Sequence, residues 1–159
     1  MTASIPFGPL RFPDSPESKT DGQFAPAKSS KARILIVDDH DLIRDGIATL
    51  LGNRWEICGQ AADGLDGVEQ VRELRPDLVL LDLSMPVLSG IKAAAMIRKM
   101  APSTKIVFVS MHDAPTVREV AKLAGGNAFV SKRSNAEELR QVVEEVLHSQ
   151  CKIPDAQCS

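Results

Sequence analysis

Several residues that could bind a metal ion or attack an electrophile stand where short apolar runs of the sequence end. They are Asp38 and Asp39 after RILIV, Asp82 after LVLL, Ser110 after IVFV, and Lys132 shortly after Ala128–Val130. Two unit charges about 4 Å apart repel by roughly 4 kcal/mol at an effective dielectric of 20. If these carboxylates lie close together, they must therefore hold protons or bind a cation.

A hard divalent cation suits a group of carboxylates, and Mg²⁺ tolerates few protein ligands because it keeps several waters. The ion and the ammonium group of Lys132 would together balance the negative charges of Asp38, Asp39 and Asp82. Such a site can admit a dianionic phosphoryl group and stabilise its transfer. Asp82 stands alone after its run and is the predicted nucleophile, which would form an acyl phosphate. The adjacent acidic pair is better placed to hold the metal.

Continuous apolar runs alternate along the chain with segments whose apolar residues recur at helical spacing. The runs are typical of strands buried on both faces of a parallel sheet; Trp55–Ala61 is a weaker candidate. Ser134 and Glu137 form a candidate capping box before the last helix, and Pro115 falls at a predicted helix start. The pattern predicts an α/β fold of five βα units, doubly wound, with helices on both faces of the sheet.

Parallel strands all point the same way, so the polar residues at their ends should converge on one edge of the molecule, where such folds bind ligands. The histidines, His40, His112 and His148, are not spaced along the sequence as metal ligands. Cys58 lies in an apolar run and is predicted to belong to the core.

The composition is that of an ordinary globular protein and excludes several classes. The chain has 159 residues, a formal net charge of −2 and no basic run, so direct binding of nucleic acid is not expected. No apolar stretch approaches the roughly 18 residues of a membrane span, and the start shows no secretion signal. The odd cysteine count argues against a disulfide framework. We expect a cytoplasmic protein.

Three regions are predicted from composition and pattern. Residues 1–30 are rich in Pro, Ser and Thr without periodicity and are expected to form a flexible N-terminal arm. Residues 31–148 form the predicted domain. Residues 149–159 are expected to be a C-terminal tail or a truncated linker.

The stretches VDDHDLIRDGI, LVLLDLSMPVLSG, IVFVSMHD and FVSK resemble, in order and spacing, the receiver domains of response regulators. The resemblance covers roughly residues 32–148. It implies a flavodoxin-like, CheY-like sheet of strand order 2-1-3-4-5. It also implies that a phosphoryl group is taken from a sensor histidine kinase or a phosphotransfer protein in a Mg²⁺-dependent step.

The resemblance implies a role for each matching position. These are Asp38 and Asp39 as the metal pair, Asp82 as phosphoacceptor and metal ligand, Ser84 as a backbone carbonyl ligand, Ser110 as the switch hydroxyl, Lys132 as the phosphate-binding lysine, and Phe129 as the switch aromatic. Phe129 replaces the common tyrosine, so it has no hydroxyl to anchor either state.

In the family, phosphorylation reshapes the face of the fourth helix, fifth strand and fifth helix, which then binds a downstream protein partner. The protein would catalyse only its own phosphorylation and dephosphorylation. Relatives with this motif set often dimerise, so a homodimer is among the expected assemblies. The motifs resemble the subgroup with a C-terminal helix-turn-helix domain, but only eleven residues follow His148. We therefore expect a single-domain receiver or a fragment of a longer protein.

Three other functions fit parts of the pattern. An aspartyl-phosphate phosphohydrolase is the first, but Ser84 stands where many such enzymes carry a second acid. A nucleotide- or flavin-binding module is the second, although the acidic turn after the first strand would repel a pyrophosphate. A pseudo-receiver acting only as a docking surface is the third, and the complete set of acidic, hydroxyl and lysine residues argues against it.

Overall fold

The computed structural model describes residues 31–149, where five strands alternate with five helices. The strands are β1 (Arg33–Val37), β2 (Glu56–Ala61), β3 (Leu78–Asp82), β4 (Lys105–Ser110) and β5 (Ala128–Ser131). The helices are α1 (Asp41–Leu51), α2 (Gly64–Leu74), α3 (Gly90–Met100), α4 (Pro115–Leu123) and α5 (Ala136–His148). The predicted arm, and the tail beyond residue 149, lie outside the described residues. No helix of the described range is long and apolar enough to cross a membrane.

The five strands form one parallel sheet in the order β2-β1-β3-β4-β5. This confirms the predicted fold class and strand order. The central strand β3 is buried along its whole length. This burial explains why its sequence is an unbroken apolar run up to Asp82.

Alternate residues of each strand face opposite sides of the sheet and build two separate cores. In β1, Ile34 and Ile36 pack with α1 and α5, while Leu35 and Val37 pack with α2, α3 and α4. Burial on both faces holds the strands rigidly, so the residues at their carboxyl ends have fixed positions.

Two local predictions need correction. The last helix is capped by Asn135, whose side chain accepts a hydrogen bond from the backbone N of Glu138 at 2.8 Å; the predicted capping box at Ser134 was therefore wrong by one residue. The edge strand β2 begins at Glu56 rather than Trp55, and Trp55 is buried just before it. Cys58, predicted to belong to the core, is half-buried in β2 and packs against the core on the side of α2 and α3.

Gly90 brings the start of α3 directly against the end of β3. Its backbone N donates to the carbonyl oxygen of Leu83 at 2.9 Å. A Cβ atom at position 90 would lie 2.1 Å from the backbone oxygen of Asp82. The approach is thus closer than any side chain allows, and it fixes the backbone that carries Asp82.

We predict that Gly90→Ala lowers the free energy of unfolding by about 2 kcal/mol or more, because the backbone around Asp82 must move. Gly46→Ala is the matched control. Gly46 lies on the exposed face of α1, and a Cβ atom there would meet no other atom within 4 Å, so alanine should raise stability by roughly 0.5–1 kcal/mol. Urea unfolding of both variants measures the two changes, and equal effects would contradict the prediction.

Candidate functional site

Lys132 and two carboxylates meet at the carboxyl edge of the sheet. The Nζ atom of Lys132 lies 2.7 Å from Oδ2 of Asp38 and 3.3 Å from Oδ1 of Asp82. The three side chains are only 4%, 2% and 5% exposed, respectively. The structure therefore brings together three of the predicted site residues, from β1, β3 and the loop after β5, in a setting that water hardly screens.

Backbone hydrogen bonds hold these strand ends in place. The backbone N of Asp38 donates to the carbonyl oxygen of Ala61 at 3.0 Å, and that of Lys132 donates to the carbonyl oxygen of Ser110 at 2.8 Å. Each of these two residues is thus tied to the neighbouring strand as well as to its own.

Asp38, Asp39, His40 and Asp82 each place one candidate ligand atom so that all these atoms lie within 4.8 Å of one another. Among the carboxylate oxygens of these residues, Oδ2 of Asp38 and Oδ1 of Asp39 are buried without a hydrogen-bond partner. Oδ2 of Asp38 is within ion-pair distance of Lys132 but outside hydrogen-bond geometry. Unsatisfied carboxylate oxygens of this kind fit a hard divalent cation such as Mg²⁺.

Burial raises the pKa of Asp82 from its ordinary value of 3.8 to about 6. Lys132 opposes this rise, while the negative charges of Asp38 and Asp39 add to it. One ammonium group therefore does not offset burial together with the two neighbouring carboxylates, and a cation in the group would favour the ionised form of Asp82.

Ser110 and Ser84, the other predicted members of the site, occupy different settings. Ser110 is buried at the end of β4, and its Oγ accepts a hydrogen bond from the backbone N of His112 at 3.0 Å. Ser84 lies in the exposed part of the loop between β3 and α3. Their roles as switch hydroxyl and carbonyl ligand stay predictions.

Phe129, the predicted switch aromatic, is half-buried in β5 beneath a guanidinium group. The Cζ atom of Arg118, on α4, lies 4.7 Å from the centre of the Phe129 ring. Arg118 also forms an ion pair with Asp113 at 3.4 Å. A cation over an aromatic face is attracted by the ring electrons. The contact with Arg118 therefore stabilises the position of the Phe129 ring, which has no hydroxyl to form a hydrogen bond. No pattern in the sequence singled out Arg118.

Arg44 is a second residue that the sequence pattern did not reveal. It donates from Nη1 to the backbone oxygen of Asp38 and from Nη2 to Oδ1 of Asp41, each at 2.6 Å, and from Nε to Oε1 of Gln60 at 3.2 Å. Its side chain is 15% exposed. It thereby ties the loop that carries the acidic pair to the edge strand β2. Only its spacing from Asp41, three residues earlier on the same helix, was visible in the sequence.

Residues 34–144 match the protein family described as the response regulator receiver domain. The response regulator GacA of Pseudomonas aeruginosa is 33% identical over 120 residues, which are 74% of this chain and 56% of GacA. A transcriptional regulatory protein named NarL, from Mycobacterium tuberculosis, is 33% identical over 115 residues, 71% of this chain and 53% of that protein. The chain thus spans about half the length of these curated relatives.

Solved structures are similar as well. The signal receiver domain of NarL from Mycobacterium tuberculosis superposes with a TM-score of 0.72 at 30% identity, covering 76% of this chain and 98% of that one. A two-component response regulator of the LuxR family from Aurantimonas gives a TM-score of 0.71 at 34% identity, covering 74% and 85%.

We predict that Asp82→Asn stabilises the protein at pH 8 in the presence of a chelator. Because the folded-state pKa of Asp82 is raised to about 6, the stability associated with its protonated form is present below about pH 4 and lost as the pH rises through about 6. Above that range the variant should be more stable by on the order of 2 kcal/mol, and the difference should vanish near pH 4. Asp45→Asn, on the exposed face of α1, is the control. Thermal unfolding across this pH range measures the effect, and a less stable Asp82→Asn at pH 8 would refute it.

We predict that Arg44→Met lowers the free energy of unfolding by about 1–3 kcal/mol, because the backbone oxygen of Asp38 loses its charged donor in a poorly hydrated place. Methionine keeps most of the packing volume of the arginine stem. Arg72→Met is the matched control, since Arg72 is 60% exposed and pairs with Glu69 on its own helix, and such pairs contribute little. Chemical unfolding compares the two variants; equal losses would show that Arg44 has no special position.

Proposed function

The chain belongs to the response regulator receiver family of two-component systems, and from this premise we propose that Asp82 accepts a phosphoryl group from a sensor histidine kinase or a phosphotransfer protein. The observation that carries the proposal is the position of the Asp82 carboxylate. It is buried at the end of the central strand, 3.3 Å from Nζ of Lys132 and within the acidic group.

The proposed transfer begins with Asp82 as a carboxylate, which its pKa of about 6 allows for most molecules at neutral pH. One of its oxygens attacks the phosphorus of the donor, the bond from phosphorus to the donor breaks, and the donor leaves with that electron pair. Lys132 pairs with a phosphoryl oxygen. The site then holds an aspartyl phosphate in place of a free carboxylate.

Mg²⁺ is the proposed cofactor, and it would neutralise charge on the phosphoryl group as that charge redistributes. Asp39 and Asp82 would hold it with carboxylate oxygens, Ser84 with its backbone carbonyl, and Asp38 directly or through water. The unsatisfied oxygens of Asp38 and Asp39 support this assignment.

Ser110 and Phe129 are proposed to convert phosphorylation into a change of surface. The Ser110 hydroxyl, which accepts from the backbone of His112, would turn to donate to a phosphoryl oxygen. The Phe129 ring would then move inward from beneath Arg118, whose contact favours the present ring position. The surface formed by α4, β5 and α5 would change with it and bind a downstream protein or a second copy of the chain.

We expect a regulator rather than an enzyme that turns over a substrate. Ser84 is two residues after Asp82, and a hydroxyl there is a poor general acid or base, so an aspartyl phosphate would persist. Residues 31–148 are the proposed receiver unit, which contains the family match at 34–144.

Phosphorylation with acetyl phosphate and Mg²⁺, followed by intact mass spectrometry, tests the proposal. The expected product carries one phosphoryl group that is labile to base, and Asp82→Asn should not form it. Asp45→Asn should react like the natural protein, and a chelator should abolish the reaction. Phosphate release far beyond one equivalent would indicate a hydrolase instead, and undiminished labelling of Asp82→Asn would exclude Asp82 as the acceptor.

A further inference from the structure

We propose that His40 is a nitrogen ligand of the metal site and gives it a preference for ions such as Zn²⁺ that oxygen ligands alone would not provide. The inference rests on the proposed function insofar as the same acidic group is the Mg²⁺ site. It goes beyond that function by naming a nitrogen ligand, and with it a class of ion that would compete with Mg²⁺.

The position of the imidazole ring is the first observation. Its Nδ1 atom lies 3.1 Å from Oδ1 of Asp39 and 3.4 Å from Oδ1 of Asp38. On an ion with ligand distances of about 2.1 Å, neighbouring ligands are roughly 3.0 Å apart in octahedral and about 3.4 Å apart in tetrahedral geometry. The Nδ1 atom of His40 thus lies at the spacing of a neighbouring ligand from each of the two oxygens.

The second observation is that the His40 side chain does not cap the helix that it precedes. It occupies the N-cap position of α1, where Ser, Thr, Asp or Asn would usually accept a hydrogen bond from the first turn. His40 makes no side-chain cap hydrogen bond. Its backbone N instead donates to Oδ1 of Asp38 at 2.8 Å, which fixes the residue beside the acidic group.

The relation between His40 and Asp39 is the third observation. Oδ1 of Asp39 is buried and has no hydrogen-bond partner, although Nδ1 of His40 is 3.1 Å away. The two atoms are therefore close without satisfying each other, as two ligands facing a common centre are. The side chain of His40 is 61% exposed, so the ring can be reached from solvent.

An imidazole changes which ions the site prefers. Carboxylate and carbonyl oxygens with water suit Mg²⁺, Ca²⁺ and Mn²⁺, whereas imidazole nitrogen favours Zn²⁺ and its neighbours at the end of the Irving–Williams order. With Asp38, Asp39 and Asp82 as oxygen ligands and His40 as nitrogen ligand, Zn²⁺ would displace Mg²⁺ at lower concentration than from an all-oxygen site.

Mn²⁺ provides a direct test with the full chain. Electron spin echo modulation of bound Mn²⁺ should show a coordinated nitrogen in the natural protein and none in His40→Gln, which keeps a similar volume and an amide oxygen. Competing ions are then added to the Mn²⁺-bound protein, and the electron spin resonance signal of free Mn²⁺ reports how much Mn²⁺ each ion displaces. The concentration of Zn²⁺ that displaces half of the Mn²⁺ should be at least about tenfold higher for His40→Gln than for the natural protein. The corresponding concentration of Mg²⁺ should stay within about threefold of the natural value. His148→Gln, at the end of α5, is the matched control and should leave both unchanged.

The outcomes separate this inference from the proposed function. Absence of nitrogen coupling would overturn the inference. Tighter binding of every ion by His40→Gln would overturn it as well, because the ring would then hinder the ion rather than bind it. Phosphorylation of Asp82 with Mg²⁺ would survive that result. If nitrogen coupling is seen in a protein that acetyl phosphate does not phosphorylate, the ligand assignment stands and the acceptor function fails.

Discussion

The structure depends on one ammonium group placed between two buried carboxylates. Lys132 lies within 3.3 Å of both Asp38 and Asp82, and none of the three side chains is more than 5% exposed. Burying such charges is tolerated only when they are paired, yet Asp39 leaves the group with an excess of negative charge. Burial raises the pKa of Asp82, and the negative charges of Asp38 and Asp39 raise it further. The same two conditions make this place suitable for a divalent cation, whose charge would then allow a phosphoryl group to approach.

The sheet gives this arrangement its rigidity. The chemically important residues come from the ends of adjacent strands, β1, β3 and β4, with Lys132 following β5. Two cores on opposite faces prevent these strands from shifting, and Gly90 lets α3 begin against the backbone of Asp82. A site built on strand ends can therefore hold repelling charges close together, because moving them apart would disrupt both cores.

Three further side chains make contacts that the sequence pattern did not reveal. Arg44 ties the acidic loop to β2, Arg118 holds the Phe129 ring, and His40 lies beside the acidic group at the solvent side. Phe129 lacks the hydroxyl that a tyrosine would use as an anchor, and the guanidinium group of Arg118 stabilises its ring instead. In the proposed switch, this contact would bias the ring position from α4, within the surface proposed to bind a partner.

The sequence alone was sufficient for the fold class, the strand order through the family resemblance, and the set of strand-end residues, because unbroken apolar runs and parallel topology force those ends onto one edge. It was insufficient wherever a contact joins residues that are distant along the chain. The guanidinium of Arg44 reaches Gln60, and that of Arg118 reaches Phe129, through packing of whole helices that no local pattern encodes. His40 was not spaced as a ligand in the sequence, and only the turn at Asp38 brings its ring beside the carboxylates. Local periodicity reports which face of an element is buried, whereas the distance between two side chains is decided by how all the elements pack.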